Sequence, residues 1–114
     1  MLVKRFNDCK PYTAPNHFDC RAIRLQGWEE GGPVSSWVGL SHFLPGGGAG
    51  PDSSPLEKVY VVVAGEVTVR AEGQDVVLKP FDSCYIGANV VREVKNESNA
   101  VASMIVVMPY PEKK

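Results

Sequence analysis

The stretch Pro45-Gly-Gly-Gly-Ala-Gly-Pro-Asp-Ser-Ser-Pro55-Leu-Glu-Lys-Val-Tyr-Val-Val-Val-Ala-Gly65 decides how this chain folds. Its first half, residues 45–55, is too rich in glycine and proline for regular structure and reads as a loop, because glycine admits turn conformations that other residues resist. Its second half, Glu57 to Val63, is strongly β-prone. Both alternating sets, Val59/Val61/Val63 and Lys58/Tyr60/Val62, are largely apolar, as in a strand buried on both sides. Lys58 is the exception on its face.

The same alternation continues on either side. Val34 to Leu44 reads as a strand with Trp37, Gly39, Ser41 and Phe43 on one face and Val38, Leu40, His42 and Leu44 on the other. After the Ala64-Gly65 turn, Glu66 to Glu72 places Val67, Val69 and Ala71 opposite a polar set, so one face is wet. Gly73 marks the next turn. Asp75 to Leu78, Ser83 to Ile86, Val91 to Val94 and Val101 to Met108 complete the strands before Pro109 and Pro111 end them. Helical periodicity is nearly absent, which predicts an all-β domain, a barrel or sandwich. No internal repeat is present, so one barrel is expected: N-terminal strands and a lip over 1–33, a core over 34–108, and a loosely held tail over 109–114.

A chain of 114 residues with 44% hydrophobic content suits one domain with its own core. The formal net charge of −1, with charges interspersed, gives no footprint for nucleic acid or an anionic membrane surface. The N-terminus lacks the apolar run of a secretory signal, and no stretch approaches the roughly 20 apolar residues that span a bilayer, so a soluble, cytoplasmic protein is expected. The three cysteines, Cys9, Cys20 and Cys84, lack metal-type spacing and read as free thiols. The expected partner is a small molecule or another protein.

Leu44-Pro-Gly-Gly through Gly65 resembles the first motif of the cupin family, in which a Pro-Gly turn leads to His-x-His, then a Glu or His, then a Gly seven residues later. The second motif follows in register as Gly73, Leu78-Lys-Pro-Phe-Asp82 and Tyr85-Ile-Gly-Ala-Asn-Val-Val-Arg92 with Asn96. The resemblance implies a small single-domain cupin of the RmlC-like type, an antiparallel β-barrel or jelly roll (double-stranded β-helix), and a homodimer. Counting back from Gly65, the family's metal-ligand positions hold Asp52, Ser54 and Lys58, and the histidine of His-x-x-x-Asn becomes Arg92. A protonated lysine or arginine has donors but no lone pair for a cation. Asp52 with Ser54 alone makes a weak site. No metal and no other cofactor is therefore expected; a displaced site would need His42, His17, Asp52 or Cys84 to converge from separate elements.

The charged replacements suggest what stands in for the metal. Arg92 has the planar fork that grips a carboxylate at two points. Lys58, if desolvated beside Arg92, becomes usable as a base or amine nucleophile. The resulting candidates are Lys58, Tyr60 and Asp52 as catalytic residues, and Arg92, Ser54, Trp37, Met104 and Met108 as substrate-binding residues. The expected ligand is a small carboxylate or an enolisable carbonyl compound. The expected activity is a metal-free, non-redox acid–base step of lyase or isomerase type: isomerisation, dehydration, decarboxylation or cyclisation. The alternatives are a non-catalytic binding cupin, a metalloenzyme with displaced ligands, and a closed barrel in which Asp52, Lys58 and Arg92 form a salt-bridged plug. His17 reads as an exposed loop residue, His42 as a hydrogen-bonded strand residue. Trp28-Glu-Glu-Gly-Gly-Pro33 reads as a solvated connection, or as a mobile lip that supplies a carboxylate.

Overall fold

In the computed structural model, which describes residues 1–29 and 31–112, the alternation becomes nine antiparallel strands. They are β1 (Pro11–Tyr12), β2 (His17–Gln26), β3 (Ser36–Asp52), β4 (Lys58–Ala64), β5 (Val67–Ala71), β6 (Gln74–Leu78), β7 (Ser83–Ile86), β8 (Arg92–Lys95) and β9 (Ala102–Pro109). The order around the barrel is β6-β5-β8-β3-β9-β4-β7, with β2 also paired to β3 and β1 to β2. A single 3-10 turn at Phe6–Asp8 precedes the strands. Among the described residues no helix is long and apolar enough to cross a membrane.

Period-two alternation fixes which side chains enter the barrel. On β3 the inner set is Trp37, Gly39, Ser41 and Phe43; on β4 it is Lys58, Tyr60 and Val62; on β9, Ala102 and Met104. One end of the interior is packed solid by Phe43, Val62, Val67, Val94 and Met104, all 2% exposed or less. Burying one such side chain contributes about 1.5–3 kcal/mol. The outer β4 set, Val59, Val61 and Val63, is only half-buried, so this strand is not covered on both sides as expected.

The segment expected to be a loop over 45–55 is instead a continuation of β3 as far as Asp52. The glycines serve close approach here. A Cβ at Gly47 would strike the carbonyl oxygen of Asp19, and one at Gly48 the carbonyl oxygen of Val94. Gly48 pairs with Phe18 on β2 and with Lys95 on β8, so three backbones meet where only hydrogen side chains fit. Asn96 fastens this crossing from within. It is fully buried, and its Nδ2 donates to the carbonyls of Phe43 (3.0 Å) and Ala100 (2.7 Å). Its Oδ1 accepts from the Ser98 N–H (3.0 Å) and Ser98 Oγ (2.7 Å). With Asn96 anchored, β8 runs back so that Arg92 lies opposite Asp52.

Two peripheral segments are tied to the barrel. Phe6 packs edge-on against His42, ring centroids 6.1 Å apart, and His42 Nδ1 lies 2.7 Å from Ser103 Oγ. Tyr110, in the tail expected to be loose, donates to the Pro33 carbonyl (2.8 Å) and accepts from the Trp28 N–H (3.1 Å). Cys9, Cys20 and Cys84 are all free thiols.

Candidate functional site

The end of the barrel opposite the packed core encloses a cavity of about 490 Å³, within the usual range for a small organic ligand. All eight catalytic and substrate-binding candidates line it: Asp52, Ser54, Lys58, Tyr60, Arg92, Trp37, Met104 and Met108. Strand register brings them together. Trp37 pairs with Met108 across β3 and β9, Tyr60 with Val106 across β4 and β9, and Asp52 with Arg92 across β3 and β8.

Lys58 opens β4 with its side chain turned inward and is 5% exposed. Its Nζ lies 3.4 Å from Ser54 Oγ. Ser54 is fixed there by a local turn, its Oγ donating to the Leu56 carbonyl (3.1 Å) and accepting from the Leu56 N–H (3.2 Å). Burial pushes the lysine's pKa below its ordinary value, and the charge of Arg92 acts in the same direction against a weaker pull from Asp52. Arg92 donates through Nε to the Tyr60 hydroxyl at 2.7 Å, while its Nη1 is buried without a partner. Burial raises the Tyr60 pKa, opposed by Arg92, so Tyr60 stays a phenol at neutral pH. Because its oxygen accepts from Arg92, its own proton is available to a ligand.

The salt-bridged plug does not form. The ion pairs among the described residues belong to Lys4 and Arg70, not to Lys58 or Arg92. Asp52 is exposed at the rim, where its Oδ1 accepts the Ser53 N–H at 2.8 Å. It is the one carboxylate among the described residues lining the cavity, which leaves the interior net positive.

The further lining residues include Tyr12, His17, Arg24 and Trp28, none of them among the catalytic and substrate-binding candidates. His17 is not an exposed loop residue; it begins β2, half-buried. Its Nδ1 donates to the Pro15 carbonyl at 2.7 Å, so the neutral ring keeps its lone pair on Nε2. Burial lowers its pKa and Arg92 lowers it further, while the Pro15 carbonyl and Asp52 oppose. Arg24 stacks between Tyr12 and Trp28, its guanidinium carbon 4.4 and 4.9 Å from the two ring centroids. Trp28, 45% exposed, packs at 5.1 Å on Tyr110 and at 6.0 Å on Trp37. Trp28 thus gives the mouth an aromatic wall together with Trp37 and Tyr12. Glu29 turns away to Lys4 (2.9 Å), and Glu30 lies outside the described residues. Strand register turns this phase of β2 inward: Ala22 and Arg24 pair with Ser41 and Gly39 of the inner face.

A divalent cation does not fit these residues. Lys58 and Arg92 occupy two of the four positions that would hold it, and no group of three His, Cys, Asp or Glu side chains among the described residues could. The displaced set does not converge either: His17 and Asp52 reach the cavity, but His42 faces outward against Phe6 and Cys84 is not in the lining.

Known proteins share this barrel. The cupin domain family matches residues 39–108. The beta-D-galactosidase Rv1717 of Mycobacterium tuberculosis is 36% identical over 111 residues, covering 97% of this chain and 96% of that protein. The polyketide cyclase RemF from Streptomyces resistomycificus superposes with a TM-score of 0.84 at 16% identity, over 96% of this chain and 79% of that one. A longer Pseudomonas aeruginosa protein named for induction by glyoxylate gives 0.79 at 20% identity, over 91% of this chain but 40% of its own. At such identities the two superpositions are likenesses of fold. The barrel, its glycine crossing and Asn96, together with the family match and the full-length relative, make this chain a member of the cupin family.

Proposed function

We propose that the cavity binds a small anionic or carbonyl-containing organic molecule and carries out a non-redox acid–base step on it without a metal: an isomerisation, dehydration, decarboxylation or cyclisation. The observation that carries the reading is a buried lysine with no carboxylate partner, set beside an arginine that is itself hydrogen-bonded to a tyrosine. Arg92 receives the anionic group. Lys58, with its charged form disfavoured, takes a proton from the substrate or stabilises the oxyanion that forms. Tyr60 returns a proton from its hydroxyl, with Asp52 at the rim as the other shuttle, and Ser54 orients the substrate. Trp37, Met104 and Met108 exclude water along the wall. The test is a screen of 3-oxo acids and related enolisable carboxylates for exchange of the α-proton in D₂O. Native protein should catalyse it, Lys58→Met and Arg92→Leu should abolish it while remaining folded, and metal analysis should find no stoichiometric ion. Exchange that survives both substitutions overturns the assignment; saturable binding with no exchange or product identifies a binding module.

A second reading, glycoside hydrolysis, is favoured by the relative named for beta-D-galactosidase activity and by the Trp28/Trp37 wall, a surface on which a sugar face stacks. The usual scheme needs two carboxylates, and Asp52 is the one acid among the described lining residues. A chromogenic β-D-galactoside decides: hydrolysis lost in Asp52→Asn but kept in Lys58→Met selects this reading over the first. The expected homodimer is also a proposal, tested by mass measurement in solution.

A further inference from the structure

Two arginines line the cavity, and each keeps a buried nitrogen with no hydrogen-bond partner: Arg92 Nη1 and Arg24 Nε. Among the described residues no other buried side-chain polar atom is left so. An orphaned buried donor is costly, and a folded chain rarely retains one without a use. Both nitrogens are too buried to meet a ligand themselves; the donors left for one are Arg92 Nη2 and the two Nη groups of Arg24, which have no hydrogen-bond partner among the described residues.

The two groups are held by different elements and by different devices. Arg92, on β8, is fixed through Nε by the Tyr60 hydroxyl at 2.7 Å. Arg24, on β2, is clasped face-on by Tyr12 and Trp28. Stacking holds the plane of a guanidinium and leaves its N–H edge available, because all its donors lie in that plane. Among the described residues no acidic side chain pairs with either edge. Asp52 is engaged with the Ser53 N–H, and Glu29 with Lys4. The same lining holds an apolar set: Trp37, Met104, Val106 and Met108. Two cationic anchors and an apolar lining match an extended molecule with an acidic group at each end.

We propose that the ligand is a small organic dianion, with one anionic group at Arg92 and the other at Arg24. This rests on the anion-binding reading above and narrows it from any small acid to molecules with two acidic groups. Arg24 is then a specificity residue. It selects by the second charge and takes no part in the proton transfers at the Lys58 end.

The test uses the α,ω-dicarboxylates from succinate to azelate, and the monocarboxylates of equal carbon number, titrated against native protein, Arg24→Gln and Arg92→Gln. One dicarboxylate length should bind native protein about tenfold or more tightly than its monocarboxylate counterpart, the return on a second charge-assisted contact. That advantage should vanish in both variants, while monocarboxylate affinity falls in Arg92→Gln alone. Arg24→Lys keeps the charge and should keep part of the advantage, which separates loss of the anchor from loss of the Tyr12–Trp28 stack. Equal affinity for mono- and dicarboxylates at every length, with binding still dependent on Arg92, overturns the second anchor and leaves the proposed function standing. Absence of any carboxylate binding overturns both.

Discussion

The two ends of this barrel are built from the same strands and obey opposite rules. At the closed end Phe43, Val62, Val67 and Val94 are packed almost without exposed surface, Phe43 and Val94 also bounding the cavity with Met104, and the one polar side chain among them, Asn96, uses both its amide and its oxygen. At the open end, within a few residues along the same strands, lie a lysine without a carboxylate, two arginines with orphaned nitrogens, and a tyrosine whose proton is uncommitted. The closed end satisfies every group that it buries. The open end leaves groups unsatisfied at a cost in stability, and such sites are where function is found.

Breaking the closed end should have the largest effect. Asn96→Ala orphans the buried carbonyl of Phe43, whereas the Ala100 carbonyl, on an exposed residue, still accepts from Ser98 Oγ (3.1 Å). At roughly 1–3 kcal/mol for the one buried unsatisfied group, a loss of about 2 kcal/mol is expected in denaturant unfolding. Unchanged stability would mean that the crossing of β2, β3 and β8 holds without its central fastener.

The open end should answer with the opposite sign. Lys58→Met exchanges a buried charge for an apolar side chain of similar length, and should stabilise the protein at neutral pH by about 1 kcal/mol or more while eliminating activity. The pH dependence follows from the direction of the shift. Lys58 has a folded-state pKa below its ordinary value, so native protein is penalised at every pH where the unfolded chain holds the proton and the folded one resists it. That penalty is complete below the folded pKa and is relieved as pH rises through it toward the ordinary lysine range. The advantage of Lys58→Met should therefore be largest at neutral pH and shrink in alkali. A constant advantage would show that it comes from packing alone. Arg92→Leu should be nearly neutral for stability, since it removes one orphaned donor and one good hydrogen bond together, and should lower carboxylate affinity by about tenfold or more.

How much of this was legible beforehand also divides along the barrel. The strands from Val34 onward follow from alternation and turn residues, and counting from Gly65 picked out Asp52, Ser54 and Lys58, all of which line the cavity. One segment was misread and one face left unread for one reason: local pattern describes a residue, not what approaches it. Residues 45–52 read as a loop because glycine and proline suppress strands on average, whereas here the absent side chains admit the neighbouring carbonyls of Asp19 and Val94. In β2 the apolar phase looks like the inner one. Yet Ile23 pairs with Leu40 of the outer face, and Arg24 pairs with Gly39 of the inner. A strand lining a charged cavity inverts the usual sidedness, and its sequence alone carries no sign of the inversion.

His17 supplies the smallest and most discriminating test of the contrast. Its pKa is lowered by burial and by Arg92, with Asp52 and the Pro15 carbonyl opposing, so the ring is neutral at pH 7. The unfolded chain takes up the proton first, near pH 6.5, and stability should decline as pH falls below that value. His17→Gln should flatten this slope. Ligand affinity should move the other way. Once protonated, His17 adds a positive charge to a cavity that already holds Lys58, Arg92 and Arg24, so an anion should bind more tightly as pH falls, and in His17→Gln this rise should be absent. Both readouts come from one pH series: melting temperature for stability, titration calorimetry with a carboxylate for affinity. If stability and affinity fall together on acidification, His17 does not face the anion, and the open end is organised by its lysine and arginines alone.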